Sequence, residues 1–317
     1  MRCFAAVPLR RSPVRPLALA LGVFDGVHLG HQAVLRAAIG LARRRSWISA
    51  ALTFDPPPEA ALGFPVPLRL GHPDDQIERM AALGLGELYR VPFTAALGRL
   101  SPRRFASQVL AKSLACGAVV VGRGFRFGAG ALGTVETLRT LGLEFGFTVV
   151  EVPPLSVAGS PVSSTRLRRA VTAGRLGVAA RQLGRTWTYR GSVVRGRRLG
   201  RTLGFPTANV EGPQQVLPPR GVWVGRCRIL SERGRSRWWG FAGNLGLRPS
   251  IKALPGIKAV ATIELHLLGF EGRLEGRVLE VEFFKRLRPE KKFASLAALS
   301  AQIGRDVHGA LAYLEEH

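Results

Sequence analysis

Two histidines three residues apart, His28 and His31, close the string Gly22-Val-Phe-Asp-Gly-Val-His-Leu-Gly-His31. The string falls where an apolar run ends and a helical pattern begins, which puts both rings at a helix start. A helix N-terminus offers free N–H groups and partial positive charge, a natural seat for phosphate. Gly22, Gly26 and Gly30 let the backbone turn sharply and approach a ligand closely. Two imidazoles so placed can stabilise charge on a pentavalent phosphorus and on a pyrophosphate leaving group without acting as nucleophiles. A lone H-x-x-H would describe two ordinary helix-cap histidines; the full string points to phosphate chemistry.

Other candidates are weaker when read singly. Ser163, Ser164 and Thr165 can cap a helix over 165–172, with Arg166 or Arg168 reaching toward phosphate oxygens. Pro206-Thr-Ala-Asn209 alone is a turn with Asx or Thr capping. Glu264, two residues from His266, is alone a solvent-facing strand carboxylate, though the chain has only 21 acids. Gly128-Ala-Gly-Ala-Leu-Gly133 satisfies G-x-G-x-x-G, with Glu151 about twenty residues on as a dinucleotide fingerprint requires. Six residues, Gly122–Phe127, separate that glycine from its strand, so an NAD site is rejected. No G-x-x-x-x-G-K-[ST] occurs, which excludes a P-loop.

The elements that position these residues change character along the chain. Leu17–Val23, Ile48–Phe54, Ala118–Val121 and Phe147–Val152 read as buried strands. Gln32–Arg45, Gln76–Leu83 and Phe105–Leu114 carry helical spacing between them. That alternation predicts an α/β domain, a doubly wound, Rossmann-like parallel sheet covered on both faces. After Gly184 the pattern becomes short strands joined by Gly- and Pro-rich connectors: Tyr189–Val194, Val222–Ile229, Trp238–Ala242, Ala261–Leu267 and Val278–Phe284. An antiparallel β-barrel is expected there, closed by a helix over Ser295–Tyr313. The domains are drawn at 1–184 and 185–317, and no internal repeat is evident.

Composition sets the outer limits. A chain of 317 residues suits two domains, and 46% hydrophobic content supports packed cores. Of 46 basic residues six are lysine, leaving 40 arginines and a net charge of +25. Arginine forks suit phosphate, yet the arginines are spread without a basic block or aromatic interleaving, so a nucleic-acid partner is not expected. Three distant cysteines, Cys3, Cys116 and Cys227, argue against a disulfide framework and suit the cytoplasm. Arg10, Arg11, Arg15 and the apolar run Leu17–Leu21 imitate a signal peptide but lack a cleavage site. No apolar stretch approaches the ~20 residues of a membrane span.

The string Gly22–His31 resembles the G-x-F-D-G-x-H-x-G-H signature of the nucleotidyltransferase superfamily. Its form is that of bacterial bifunctional riboflavin kinase/FMN adenylyltransferases. Val162-Ser-Ser-Thr-Arg-Leu-Arg168 is similar to the family's I-S-S-T-x-I-R. The resemblance implies an ATP site built from Gly22, Phe24, Gly26, Gly30, Ser163, Ser164, Thr165, Arg166 and Arg168, with His28 and His31 catalytic. Flavin contacts implied in this half are Phe54, Phe125 and Arg126. Two departures bear on them. Thr53-Phe-Asp-Pro-Pro-Pro58 resembles T-F-x-P-H-P, but Pro57 replaces the histidine. Val121-Gly-Arg-Gly-Phe-Arg-Phe-Gly128 resembles V-G-x-D/N-F-R-F-G, but Gly124 replaces the acid or amide.

Gly191-Ser-Val-Val-Arg-Gly-Arg-Arg-Leu-Gly200, continuing into Arg201-Thr-Leu-Gly-Phe-Pro-Thr-Ala-Asn209, resembles the riboflavin kinase signature. Leu217–Trp223, Asn244–Ser250, Ile263–His266 and Leu287–Phe293 extend the resemblance over nearly the whole C-terminal domain. It implies Glu264 as the base that accepts the riboflavin 5′-hydroxyl proton. It also implies Thr207 and Asn209 as Mg2+ ligands, Gly196, Gly200 and Arg201 over the nucleotide phosphates, and Arg248 at the flavin. Arg273-Leu-Glu-Gly276 stands where the family has D-L-Y-G, and Ser250 replaces a threonine. The first of these changes is expected in a loop near the flavin.

The resulting expectation is an enzyme using ATP, Mg2+, riboflavin and FMN, first forming FMN and then FAD with release of pyrophosphate. Two alternatives stand beside it. One is a riboflavin kinase with an impaired adenylyltransferase half, suggested by Pro57 and Gly124. The other is a non-enzymatic flavin or nucleic-acid binder, suggested by the charge. Oligomeric state is left open.

Overall fold

The computed structural model describes residues 1–8, 15–196, 199–231, 234–249 and 259–317. It divides into two compact units. The first holds Met1–Leu68, Pro73–Arg166 and Gln182–Gly184; the second holds Arg69–His72, Leu167–Arg181 and Arg185–His317.

Six parallel strands organise the first unit among the described residues: β1 (Arg2–Phe4), β2 (Leu17–Leu21), β3 (Ile48–Phe54), β4 (Glu87–Val91), β5 (Cys116–Gly122) and β6 (Thr148–Val152). They lie in the order β1-β4-β3-β2-β5-β6. All five residues of β2 are buried, as befits a central strand covered on both faces, and so it reads as an unbroken apolar run. Leu17, Leu19 and Leu21 pack into one core with Leu52, Val119 and Leu138. Ala20 joins the other core, with Leu35, Ala38, Met80 and Leu88. Each fully buried leucine contributes about 2 kcal/mol.

Helices α1 (Leu29–Arg45), α2 (Pro73–Ala82), α3 (Phe105–Ser113) and α4 (Val135–Phe145) join these strands. Basic side chains Arg43, Arg44 and Arg45 fill the last turn of α1, where the helix dipole is negative. Thr134 caps α4 by accepting the Thr137 N–H at 3.2 Å. Elements β3 and β4 extend the sheet on one side of β2, while β5 and β6 lie on the other. The chain therefore reverses its direction of travel between β2 and β5, and the carboxyl ends of those strands flank a crevice suited to a ligand. Two further helices, α5 (Ser164–Thr172) and α6 (Leu176–Leu183), follow.

The second unit is a closed antiparallel barrel. Its strands are β7 (Thr188–Val194), β8 (Ala208–Glu211), β9 (Gly221–Ser231), β10 (Trp239–Pro249), β11 (Ala259–Leu267) and β12 (Val278–Arg288). Pairing runs β9-β10-β11-β8-β7-β12 and returns to β9, so none of the six is left with an open edge. Phe283 centres the interior, with Phe241, Trp223 and Trp187 at ring-centroid distances of 5.6, 6.1 and 6.2 Å. Helix α7 (Leu296–Glu316), capped by Ser295, packs Ala310 against Val224 and Ala242 on the barrel's outer face.

Both expected architectures are present. Five of the elements labelled here lie beyond the sequence expectation: β1, β4, α4, α6 and β8. Strand β10 also runs on to Pro249, past the Ala242 at which the sequence pattern stops.

Candidate active sites

The loop leaving β2 carries the two histidines, and neighbouring elements hold it. The Val23 carbonyl accepts from Thr53 Oγ1 at 2.9 Å and from Gln76 Nε2 at 2.7 Å. Gln32 Nε2 donates to the carbonyls of Val27 and Leu183, at 3.0 and 3.1 Å. Phe24 and Val27 adopt left-handed backbone at φ 53° and 41°, a strained state that such residues keep only when their surroundings enforce it. Phe24 is 1% exposed and turns its ring edge toward His31, centroid to centroid 5.4 Å.

His28 is the N-cap of α1, and its Nδ1 accepts the His31 N–H at 3.1 Å. The Nδ1 lone pair is thus committed, and a neutral His28 ring carries its proton on Nε2. The two imidazoles stack 3.5 Å apart at 15°. A Cβ on Gly30 would lie 3.2 Å from the His28 ring, so the glycine makes room for this arrangement. That same Cβ position is 3.9 Å from the Val162 carbonyl, which brings the second motif beside the first. Ser163 Oγ caps α5 by accepting from the Arg166 N–H at 3.3 Å. Ser164, Thr165 and Arg166 form the exposed or half-exposed first turn of that helix, whereas Arg168 falls in the second unit.

Phe54 ends β3 and Phe125 follows β5, on the two strands that flank β2; both pack against the Leu17–Leu19 core. Phe125 stacks on Phe127 at 6.0 Å, and Arg126 is exposed. Gly124 has φ +77°, and no heavy atom lies within 4 Å of a Cβ built there. Pro57 begins the short helix Pro58–Ala61, beside an Asp55–Arg90 ion pair. Leu62, Phe64 and Val66 follow it with their side chains largely exposed.

In the barrel, Glu264 of β11 lies opposite Asn209 of β8 on one side and Asn244 of β10 on the other. Residues opposite each other in an antiparallel ladder share a face. Ile263, Leu265 and Leu267 are buried inside the barrel, which turns Glu264 and His266 outward. There a cavity of about 250 Å³ is lined by Thr207, Asn244, Glu264, His266 and Arg288 and walled by Leu299, Ile303 and Val307 of α7. A second cavity of about 420 Å³ is lined by Arg195, Gly196, Thr207, Arg273 and Glu275. Thr207 borders both. The Gly196 backbone presses so closely on Asn209 that a Cβ there would sit 2.1 Å from the side-chain amide nitrogen. Arg201 and Arg248 are placed only by backbone, in the short helix Leu199–Thr202 and on β10, with side chains outside the described residues. Ser250 lies outside the described residues altogether.

Family comparisons agree with this two-part layout. A family model described as FAD synthetase matches residues 11–166, and one described as riboflavin kinase matches 183–314. The bifunctional riboflavin kinase/FMN adenylyltransferase of Escherichia coli K12 is 36% identical over 299 residues, 94% of this chain and 93% of that protein. This chain belongs to that family. The Listeria monocytogenes protein of the same name is 34% identical over 91% of this chain and 89% of its own length. The Bacillus subtilis protein is 33% identical over 93% of this chain and 92% of its own. A crystal structure described as a macrolide-efflux protein from Streptococcus pneumoniae superposes with a TM-score of 0.81 at 26% identity, covering 97% of this chain and 98% of that one. Among the described residues no helix is long and apolar enough to cross a membrane.

Two aspects of this family member's sites were not given by the sequence reading. Arg273 and Glu275 line the cavity of Gly196, not the one that holds Glu264, because the turn after β11 folds over the β7 side of the barrel. The residues that steady both sites were also missed: Gln32, Thr53 and Gln76 around the histidine loop, and Asn244, Arg288 and Asp306 around Glu264. Gln32 and Gln76 stand in no motif and carry no signal by themselves, and Thr53 opens a quoted motif that does not reveal its bond to Val23. Asn244 stands in a quoted motif, but its position opposite Glu264 depends on strand register.

Proposed function

We propose that the chain phosphorylates riboflavin to FMN in the barrel unit and adenylylates FMN to FAD, releasing pyrophosphate, in the α/β unit. The functional boundary is drawn between residues 184 and 185. The carrying observation is the Asn209–Glu264–Asn244 row, whose Glu264 and Asn244 line a cavity walled by α7. Phosphoryl transfer to a primary hydroxyl needs positioning, charge neutralisation and a base for the hydroxyl proton. Glu264 is the base, and its cavity, with one apolar helical wall, takes the flavin. The cavity of Gly196, Arg195 and Thr207 takes ATP, so the γ-phosphoryl meets the hydroxyl at their shared residue, Thr207.

The divalent ion is Mg2+, held by Thr207 and Asn209. Among the described residues no cluster of three or more His, Cys, Asp or Glu could hold a metal, which suits an ion that keeps waters and substrate phosphates as partners. The close approach of Gly196 to Asn209 leaves a backbone cradle at that point. When bound, Mg2+ neutralises phosphate charge.

In the α/β unit, ATP lies at the N-terminus of α1 against Gly22, Phe24, Gly26 and Gly30, with Ser163, Ser164, Thr165 and Arg166 supplying hydroxyls and a cation. His28 and His31 donate to oxygens of the phosphate undergoing attack and of the departing pyrophosphate. Phe54, Phe125 and Arg126 receive the flavin, and Arg248 serves the flavin of the barrel. Widely spaced cysteines and the absence of a long apolar helix among the described residues support a cytoplasmic setting. A second reading, a kinase with a slowed adenylyltransferase, is favoured by the open space at Gly124 and by Pro57. Incubating the full chain with riboflavin, ATP and Mg2+ and separating the flavins tests both. FAD accumulation supports the two-step reading, FMN without FAD supports the second, and no turnover overturns both.

A further inference from the structure

We infer that His266 is a positioning residue for FMN formation, fixing the Pro206–Thr207 peptide relative to Glu264. The inference rests on the kinase reading of the barrel. His266 Nδ1 lies 2.8 Å from the Pro206 carbonyl oxygen. A carbonyl can only accept, so Nδ1 carries the proton whatever the charge of the ring. The Phe205 ring meets the imidazole edge to face at 5.6 Å and limits its rotation.

The Pro206 carbonyl belongs to the same planar unit as the Thr207 N–H. Holding that oxygen therefore fixes the plane from which the Thr207 side chain departs. Glu264 and His266 stand two residues apart on one face of β11, about 6.7 Å along the strand. One rigid strand thus carries the base and, through a single hydrogen bond, sets the segment that borders both cavities. Asn209 is already held in register with Glu264 by the ladder. Thr207 precedes β8 and has no ladder partner among the described residues, so the His266 bond constrains a segment that the described ladder does not.

The geometry also states which substitution can replace the histidine. An asparagine amide nitrogen occupies the place of Nδ1, whereas a glutamine nitrogen imitates Nε2. His266→Ala is expected to lower kcat for FMN formation by about 10- to 100-fold, the range for losing an orienting partner of a metal-site residue. The Mg2+ concentration for half-maximal rate should rise with it, while KM for riboflavin stays within about twofold. FAD formation from added FMN serves as the folding control and should not change. His266→Asn should recover activity to within about threefold of wild type, and His266→Gln should not. Nitrogen NMR of histidine-labelled full-length protein provides a readout independent of turnover: His266 should carry its proton on Nδ1.

An active wild type whose His266→Ala variant keeps its kcat overturns this inference alone. So does rescue by Gln but not Asn, or a neutral ring protonated on Nε2. A wild type that forms no FMN overturns the kinase reading, and this inference with it.

Discussion

Arg288 and Asp306 form a two-pronged ion pair, with Nε on Oδ1 at 2.8 Å and Nη2 on Oδ2 at 2.7 Å. Gln302 Nε2 adds a third bond to Oδ1 at 3.0 Å. The pair joins the last residue of β12 to the middle of α7, the helix that walls the Glu264 cavity. Asp306 is 8% exposed, so removing its charge leaves the guanidinium without its partner at a largely dry site. Asp306→Ala should cost about 3 kcal/mol, as for breaking one half of a buried pair. Because α7 is a cavity wall, KM for riboflavin should rise with the lost stability, while FAD formation from added FMN is retained. Thermal melts and riboflavin saturation curves check this; an unchanged KM would separate the clamp from the cavity.

Glu264 and the histidine loop should fail independently. Glu264→Gln keeps the shape and loses the proton acceptor, so FMN formation should fall by about 10²- to 10⁴-fold. Adenylylation of added FMN should continue at its original rate. Loss of both activities in this variant would contradict two separate sites.

His28→Ala is the converse. It removes the cap that receives the His31 N–H, at about 1 kcal/mol of helix stability, and deletes a donor to developing phosphate charge. FAD formation should fall by about 10²- to 10³-fold, the cost of one preorganised donor, with FMN formation unchanged. FAD output equal to wild type would refute the assignment.

How much of this was legible beforehand depends on the range of the interactions. Leu17–Leu21 reads as a buried strand because both of its faces are covered and every residue agrees. His28 and His31 read as a phosphate seat because the whole loop lies within ten residues. Strand β4, Glu-Leu-Tyr-Arg-Val, hides its nature: Glu87 looks like a surface residue but is 2% exposed, bonded to Tyr89 at 2.8 Å and ion-paired with Arg2. The acid is tolerated inside because a residue 85 positions away supplies its counter-charge. Strand β8 begins in what resembles a turn, since Ala208 and Asn209 acquire their extended form from ladders to β11 and β7. The same holds for Asn244 beside Glu264 and for Arg288 with Asp306. Local spacing does not encode which strand lies opposite which.

Gly124 offers a gain-of-function test. Its φ of +77° belongs to the region that glycine and asparagine enter most readily, and a Cβ there would meet nothing within 4 Å. Gly124→Asn should therefore fold with a loss of about 1 kcal/mol or less. It restores the amide seen in the family pattern, between exposed Arg123 and half-buried Phe125. KM for FMN should fall several-fold while KM for ATP stays constant. An unchanged KM for FMN would place position 124 outside the acceptor site.

Alkaline pH should unfold the barrel unit through two buried acids. Burial pushes the Cys227 thiol from 9.0 up to about 12. Burial, with the Glu211 charge adding to it, pushes the Tyr189 phenol from 10.0 to about 12. Both are raised because the fold favours the neutral, protonated form. Their stabilising contribution is complete below the unfolded values and disappears as pH climbs toward about 12, since the unfolded chain then binds fewer protons. Between pH 9 and 12 the thiol alone should remove up to about 1.4 kcal/mol per pH unit. Cys227→Ala should accordingly flatten the alkaline decline while costing stability at neutral pH through the small cavity left beside β12. Urea midpoints measured from pH 7 to 11 test this, and parallel declines in variant and wild type would exclude Cys227 as a source.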